Sequence, residues 1–306
     1  MLRILTISFF SLIFMHCSPR EEITPFHGNK AFEQLLAQME MSPRIPGTPG
    51  QQEFLDWGKS LLIEYGWEVQ LQDFEAYYQQ IGERRPMTNI IATSKPLRND
   101  QKLIVLGTHF DTRAFADEDP NHSDQPVPGA HDGASGVAVL METARVVSQY
   151  YQLLPEYNIA IILFDGEDGG VTSRYFCKGS RFFVRNHPAV DQIEFTVIVD
   201  MVGKKDLRLY QEHKSMEHSP DLVRSFWREG QRYYPEIFHA EVKYEIYDDH
   251  VPFLEKSIPA FLVIDFDYPY WHTIEDTADK CSADSLQAVG DILLVFLEKH
   301  RIIERR

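Results

Sequence analysis

A chain of 306 residues, 43% of them hydrophobic, is long enough to bury one large core. Its 46 acidic against 30 basic residues leave a net charge of −16, which repels phosphate backbones and argues against nucleic acid as a partner. Three cysteines are too few for a disulfide framework to hold the fold together.

The chain opens with "MLRILTISFFSLIFMHCSPR": one positive charge at Arg3, an apolar run from Ile4 to Met15, then a cysteine and polar residues. This is the pattern of an export signal over residues 1–17. The apolar run is roughly a dozen residues, short of the ~20 that span a bilayer, so a permanent anchor helix is not expected. Cys17 resembles the lipidated cysteine of bacterial lipoproteins, although His16 and Phe14 depart from the small and aliphatic residues usual there. The expected location is therefore the periplasm of a bacterium or its membrane, reached only through a lipid on Cys17. Residues 18–30 read as a polar tether, and 31–306 as a single catalytic domain.

Along the domain, "AFEQLLAQMEM" has helical apolar spacing and ends before the irregular Pro/Gly loop "SPRIPGTPG". "GQQEFLDWGKSLLIEYGWEV" predicts an amphipathic helix with Phe54, Trp57, Leu61 and Leu62 on one face, stopped by Gly66. Strands and helices then alternate: strands at 89–94, 102–110, 158–166, 195–203 and 260–266, with helices at 134–150, around 173–186, near 219–234 and at 284–300. Near-continuous apolar strands separated by helices predict a sheet covered on both faces, a three-layer α/β/α sandwich. The polar stretch 113–129 is a long loop between a strand and a helix, a place where function concentrates.

Ligands of open α/β sheets sit at the carboxyl ends of the strands, so the residues there matter most. "GTHFDTR" ends one strand with His109 and Asp111, and Asp132 of "HDGASG" opens the next helix. "FDGEDGG" supplies Glu167 and Asp168, "VIVDMVG" supplies Asp200, and the last strand runs into His272 of "YPYWHTIEDT". Taken singly, Asp132 reads equally well as a helix N-cap, Asp200 as a partner for a loop amide, and a lone histidine as no ligand at all. Jointly, carboxylates and imidazoles at successive strand ends predict a metal site, and this N and O donor set suits zinc.

The motifs "SPRIPGTPG", "GTHFDTR", "DGASGVAVLMETAR", "LFDGEDGG", "VDMVG", "DDHVPFL" and "WHT", in this order, resemble the co-catalytic zinc aminopeptidase superfamily. Within it they are most similar to the bacterial-type glutaminyl cyclases, the glutaminyl-peptide cyclotransferases. The resemblance implies a mixed, mostly parallel central sheet, with Asp132, Asp168 and His272 as the ligands of a single zinc. It also implies Glu167 as the general acid/base. Two-zinc exopeptidases of the superfamily use residues equivalent to His109 and Asp200 for a second ion, and both are present, so that activity is the alternative. Asp248 and Trp271 distinguish the two: the peptidases commonly have serine at the first position and lack tryptophan at the second.

For a cyclase, the resemblance implies peptide or protein substrates beginning with glutamine, cyclised to pyroglutamate with release of ammonia by an enzyme expected to be monomeric. Asp248 would hold the departing NH2 group and share a proton with Asp200. Trp271, with Tyr268 and Tyr270, would line the substrate pocket. Asp249 reads as a cap of the short helix near Val251, and His250 as a residue supporting the ligands or a second metal.

Overall fold

The computed structural model describes residues 23–306. The export signal and Cys17 lie outside the described residues. Part of the tether expected over 18–30 is instead packed onto the domain. Thr24 donates its hydroxyl to Asp291, Phe26 is buried, and helix α1, Gly28–Glu40, has already begun. A side chain at Gly28 would put its Cβ 2.2 Å from the Ala283 carbonyl oxygen, so this contact requires glycine.

After α2 (Pro49–Glu64), capped by Thr48, the chain forms β1 (Glu68–Tyr78), β2 (Glu83–Thr93) and β3 (Lys102–His109). Helix α3 (Ala134–Tyr150) leads to β4 (Tyr151–Leu153) and β5 (Tyr157–Phe164). Then come α4 (Lys178–Asn186), β6 (Ile193–Asp200), β7 (Leu209–Glu212), α5 (His213–His218), α6 (Pro220–Tyr233) and β8 (Phe238–Tyr244). The last elements are α7 (Val251–Leu254), β9 (Ala260–Ile264), α8 (Ala283–Lys299) and β10 (Ile303–Arg305).

The main sheet has the order β1-β2-β5-β3-β6-β9. Pairings β5–β3, β3–β6 and β6–β9 are parallel, whereas β1–β2 and β2–β5 are antiparallel, giving the expected mixed sheet. Strand β1 has no counterpart in the sequence reading. It is an edge strand whose residues are mostly exposed or half-buried, so it lacks the apolar run that marks a central strand. The period of two divides the central strands between two cores. Ile104, Leu106, Ile161, Leu163, Val197 and Val263 pack with α1, α2, α3, α6 and α8 on one face. Val105, Ile162, Ile198 and Leu262 pack with Phe183 of α4 and Phe253 of α7 on the other.

The chain visits β3 first, then β5 on one side of it and β6 on the other, so a topological switch falls at the carboxyl end of β3. Connections leave that point in opposite directions and open a crevice there. His109 is the last residue of β3, Asp200 the last of β6, and Glu167 and Asp168 follow β5. The fold therefore delivers the polar residues of otherwise apolar strands to one place.

Candidate metal centre and catalytic cavity

Asp132, Asp168 and His272 each bring a ligand atom to one point, all within 4.8 Å of one another, and all three residues are buried. His272 Nε2 stands 3.1 Å from Asp168 Oδ1 and 3.7 Å from Asp132 Oδ2. Tetrahedral zinc, with bonds of about 2.0–2.1 Å, sets its donors roughly 3.3 Å apart, so this spacing fits. Asp132 Oδ2 is buried without a hydrogen-bond partner. The N-cap reading of Asp132 fails: the cap of α3 is Gly133, at φ 93°, and it makes no side-chain cap bond. Burial and the neighbouring Asp168 charge raise the Asp132 carboxyl above its ordinary range, a repulsion that a cation between the two relieves. The donor set thus fits zinc on the geometry and charge of its own residues.

Surrounding groups hold these donors in place. Asp111 accepts the main-chain N–H groups of Glu167 and Asp168, one on each carboxylate oxygen. Asp276 does the same for His131 and Asp132, and also accepts the Tyr268 hydroxyl at 2.8 Å. Arg113 grips Asp117 with two bonds of 2.6 Å and donates to the Asp168 carbonyl and carboxylate at 2.9 and 3.3 Å. Burial opposes the charge on Asp168, yet His272 and Arg113 hold its carboxyl below the usual value. The carboxylate of Asp117 lies 3.6 Å from His272 Nδ1, leaving Nε2 for the metal side. Asp117 belongs to the 113–129 loop, so the long polar loop does serve the site. His272 itself has φ 55°, strain of the kind a packed functional site maintains.

A second donor group joins the first through Asp132: His109, Asp132 and Asp200. His109 Nε2 is 3.1 Å from both Asp132 Oδ1 and Asp200 Oδ1. Its Nδ1 lies 3.2 Å from the Asp111 carbonyl oxygen, which can only accept, so Nδ1 carries hydrogen and Nε2 faces the two carboxylates. Burial disfavours the imidazolium, but Asp200, Asp111 and Asp132 raise its pKa well above the ordinary histidine value.

Beside the donors lies a cavity of about 210 Å³ lined by Glu167, Asp200 and Asp248, with Trp271, Phe266 and Ile246 among its apolar walls. Burial raises the Glu167 carboxyl well above its ordinary range; His109 opposes this, and the charges of Asp168, Asp248 and Asp249 add to it. Asp248 is likewise raised, by burial first and then by Asp200 and Asp249. Trp271 stacks on the His272 ring at 3.6 Å and 24°, which ties the pocket wall to a metal donor.

Four expected roles are corrected by the geometry. Tyr268 is not a wall of this cavity: its hydroxyl is turned to Asp276 and its ring packs on His131. Tyr270 is outside it too, with Lys280 over its ring. Asp249 does not cap α7, whose N-cap is His250; its carboxylate accepts the Ser180 hydroxyl of α4 at 2.5 Å. His250 belongs to neither donor group, and its Nε2 lies 3.2 Å from Glu212 Oε2. The sequence reading passed over Asp117, Phe266, Phe176 and Tyr247. The pairing of Arg113 with Asp117 at a spacing of four was a usable signal for the first.

Residues 89–297 match the model of peptidase family M28. A glutaminyl cyclase structure from Porphyromonas gingivalis superimposes with a TM-score of 0.84 at 32% identity, covering 90% of this chain and 99% of that one. A Zn-dependent exopeptidase from Parabacteroides distasonis superimposes at 0.83 with 28% identity, covering 90% and 99%. The glutaminyl-peptide cyclotransferase of Boiga dendrophila is 25% identical over 293 residues, covering 83% of this chain and 76% of the relative. A metal-donor cluster at the sheet switch point, a buried carboxylate beside it and these likenesses together make the chain an enzyme of peptidase family M28, with the fold of its glutaminyl cyclases and zinc exopeptidases.

Proposed function

We propose that the chain is a zinc-dependent glutaminyl-peptide cyclotransferase, closing an N-terminal glutamine into pyroglutamate with loss of ammonia. The observation that carries this reading is the presence of Asp248 and Glu167, two buried carboxylates, in one small cavity next to the metal donors. At about 210 Å³ the cavity is below the roughly 300–1,000 Å³ of drug-sized pockets and suits one short side chain. Asp132, Asp168 and His272 would hold the zinc, which would supply Lewis acidity toward the γ-carbonyl.

The protein's own groups carry the rest. Glu167 accepts a proton from the substrate's α-amine as that nitrogen bonds to the γ-carbonyl carbon. It then gives the proton to the amide nitrogen, whose bond to carbon breaks, so that ammonia leaves and Glu167 is restored. Its raised pKa brings it closer to the amine and leaving group it must serve. Asp248 accepts a hydrogen bond from the departing NH2. Trp271, Phe266 and Ile246 exclude water, which would otherwise compete with the amine and hydrolyse the amide. The export pattern of residues 1–17 supports a periplasmic or lipid-anchored location.

The second donor group at His109 favours one other reading, a two-metal exopeptidase. Incubating the protein with peptides beginning in glutamine and in leucine separates them by mass. Ammonia loss with intact peptide bonds supports the cyclase. Release of free amino acids, with metal saturation at two equivalents, overturns it.

A further inference from the structure

We infer that a basic groove beside the catalytic cavity binds acidic residues of the peptide substrate downstream of its N-terminal residue. In a chain of net charge −16, Arg84, Arg174, Lys178, Arg181 and Arg185 converge on one cleft of about 490 Å³, with Glu75 as its acidic member. Phe74 of β1 and Phe182 of α4 stack at 4.6 Å and 11° along it, giving an apolar strip between the charges.

Glu75 neutralises one of these cations from within, and the others find no carboxylate in the groove among the described residues. Arg84 pairs with Glu75 at 3.4 Å and Arg181 with the exposed Glu255 at 3.3 Å. Among the described residues, no carboxylate forms an ion pair with Arg174, Lys178 or Arg185, and Arg181 Nε is buried without a partner. Burial first, and then the charges of Arg181, Arg174 and Arg185, lower the Lys178 pKa. Such a cluster costs stability unless an anion offsets it.

The groove adjoins the cavity through two elements. Arg174 lines the groove and Phe176, two residues later, lines the cavity, so their Cα atoms are at most about 7 Å apart. Arg181 lines the groove and lies over the ring of Tyr247, a cavity residue, at 5.1 Å. An extended peptide advances about 3.3 Å per residue, so residues from about the third onward can reach the basic side chains once the first is in the cavity. A concave cleft whose lining residues neighbour those of the catalytic cavity favours a peptide over a lipid surface. The assignment rests on the cavity accepting a peptide N-terminus, as proposed above.

The test compares Gln-Ala-Ala peptides extended by Glu, Gln or Lys residues, in low and high salt. Expected is a kcat/KM about ten-fold higher for the acidic series than the neutral one, the size that a few partly screened ion pairs supply, carried by KM and lost in high salt. The Arg174→Glu/Arg185→Glu double variant, altered only at exposed positions, should turn over the neutral series unchanged and lose the acidic preference; Arg174→Lys/Arg185→Lys should keep it. Anisotropy of labelled versions of the same peptides separates this inference from the activity. Charge-dependent binding without turnover overturns the cyclase and supports the groove, whereas turnover indifferent to downstream charge overturns the groove alone. Loss of phosphatidylglycerol vesicle binding in the double variant, with no charge preference among peptides, would make the face a membrane contact and also overturn it.

Discussion

The carboxylate of Asp111 accepts the main-chain N–H of Glu167 at 3.0 Å. Its other oxygen accepts the N–H of Asp168 at 3.1 Å, so one buried side chain sets both the proposed proton carrier and a metal donor. Asp111→Ala is expected to lower zinc affinity and kcat/KM by about 10–100-fold, the usual cost of losing a group that orients a ligand. Asp111→Asn, which keeps one acceptor, should recover part of both. Metal content after dialysis against a graded chelator, with circular dichroism to show that folding is retained, checks this.

Asp248 lies outside both donor groups but lines the cavity. Asp248→Asn should therefore keep its zinc while ammonia release falls about 10²–10³-fold, as when one group stabilising a transition state is removed. A coupled ammonia assay run beside metal analysis measures the two effects separately. Equal loss of zinc and turnover would make Asp248 a metal-site residue instead.

Glu212 caps α5 through the N–H groups of Lys214 and Ser215 and stands 3.2 Å from His250. Burial opposes its charge, but His250 and those amides depress its pKa from 4.5 to about 2. A carboxylate with a depressed folded pKa contributes stability above its unfolded pKa and loses it as pH falls toward the folded one. Glu212→Gln should thus be less stable at pH 7 by about 1–3 kcal/mol. The gap from the parent should narrow between pH 4.5 and about 2. Urea unfolding at several pH values reads that gap, and a gap independent of pH would refute the assignment.

Cys177 and Cys281 are free and buried, and burial pushes both thiols well above their ordinary pKa. Since the thiolate is the reactive form, neither should be alkylated in the native enzyme on the timescale that labels a free thiol. Peptide mapping after iodoacetamide treatment, with and without guanidinium, should find both labelled only in the unfolded chain. Fast native labelling of Cys177, whose thiol is 3.4 Å from Glu167 Oε1, would mean that the cavity opens to that depth.

Much of the molecule is legible in its sequence. Alternation of apolar strands with helices predicts the layered sheet, because a strand buried on both faces needs a continuous apolar run. The rule that ligands gather at strand carboxyl ends then singles out Asp132, Glu167, Asp168 and Asp200 without reference to packing, and the structure brings them to one crevice. Beyond the strand ends the chain leaves regular periodicity, and with it any local clue to where a side chain points. Tyr268 and Tyr270 stand on either side of Pro269 beside Trp271, yet only Trp271 of the three lines the cavity. Asp248, Asp249 and His250 are neighbours that face the cavity, Ser180 and Glu212 respectively. The basic groove joins β1, β2, α4 and Arg174 just before it, with more than a hundred residues of sequence between Phe74 and Phe182, and β1 is an edge strand with little apolar signature. Spacing along the chain determined the layers and narrowed the candidate donors to the strand ends, and the family resemblance implied which of them hold the metal; the direction of each loop side chain and the meeting of distant charges were decided by tertiary contacts, because long-range packing sets them.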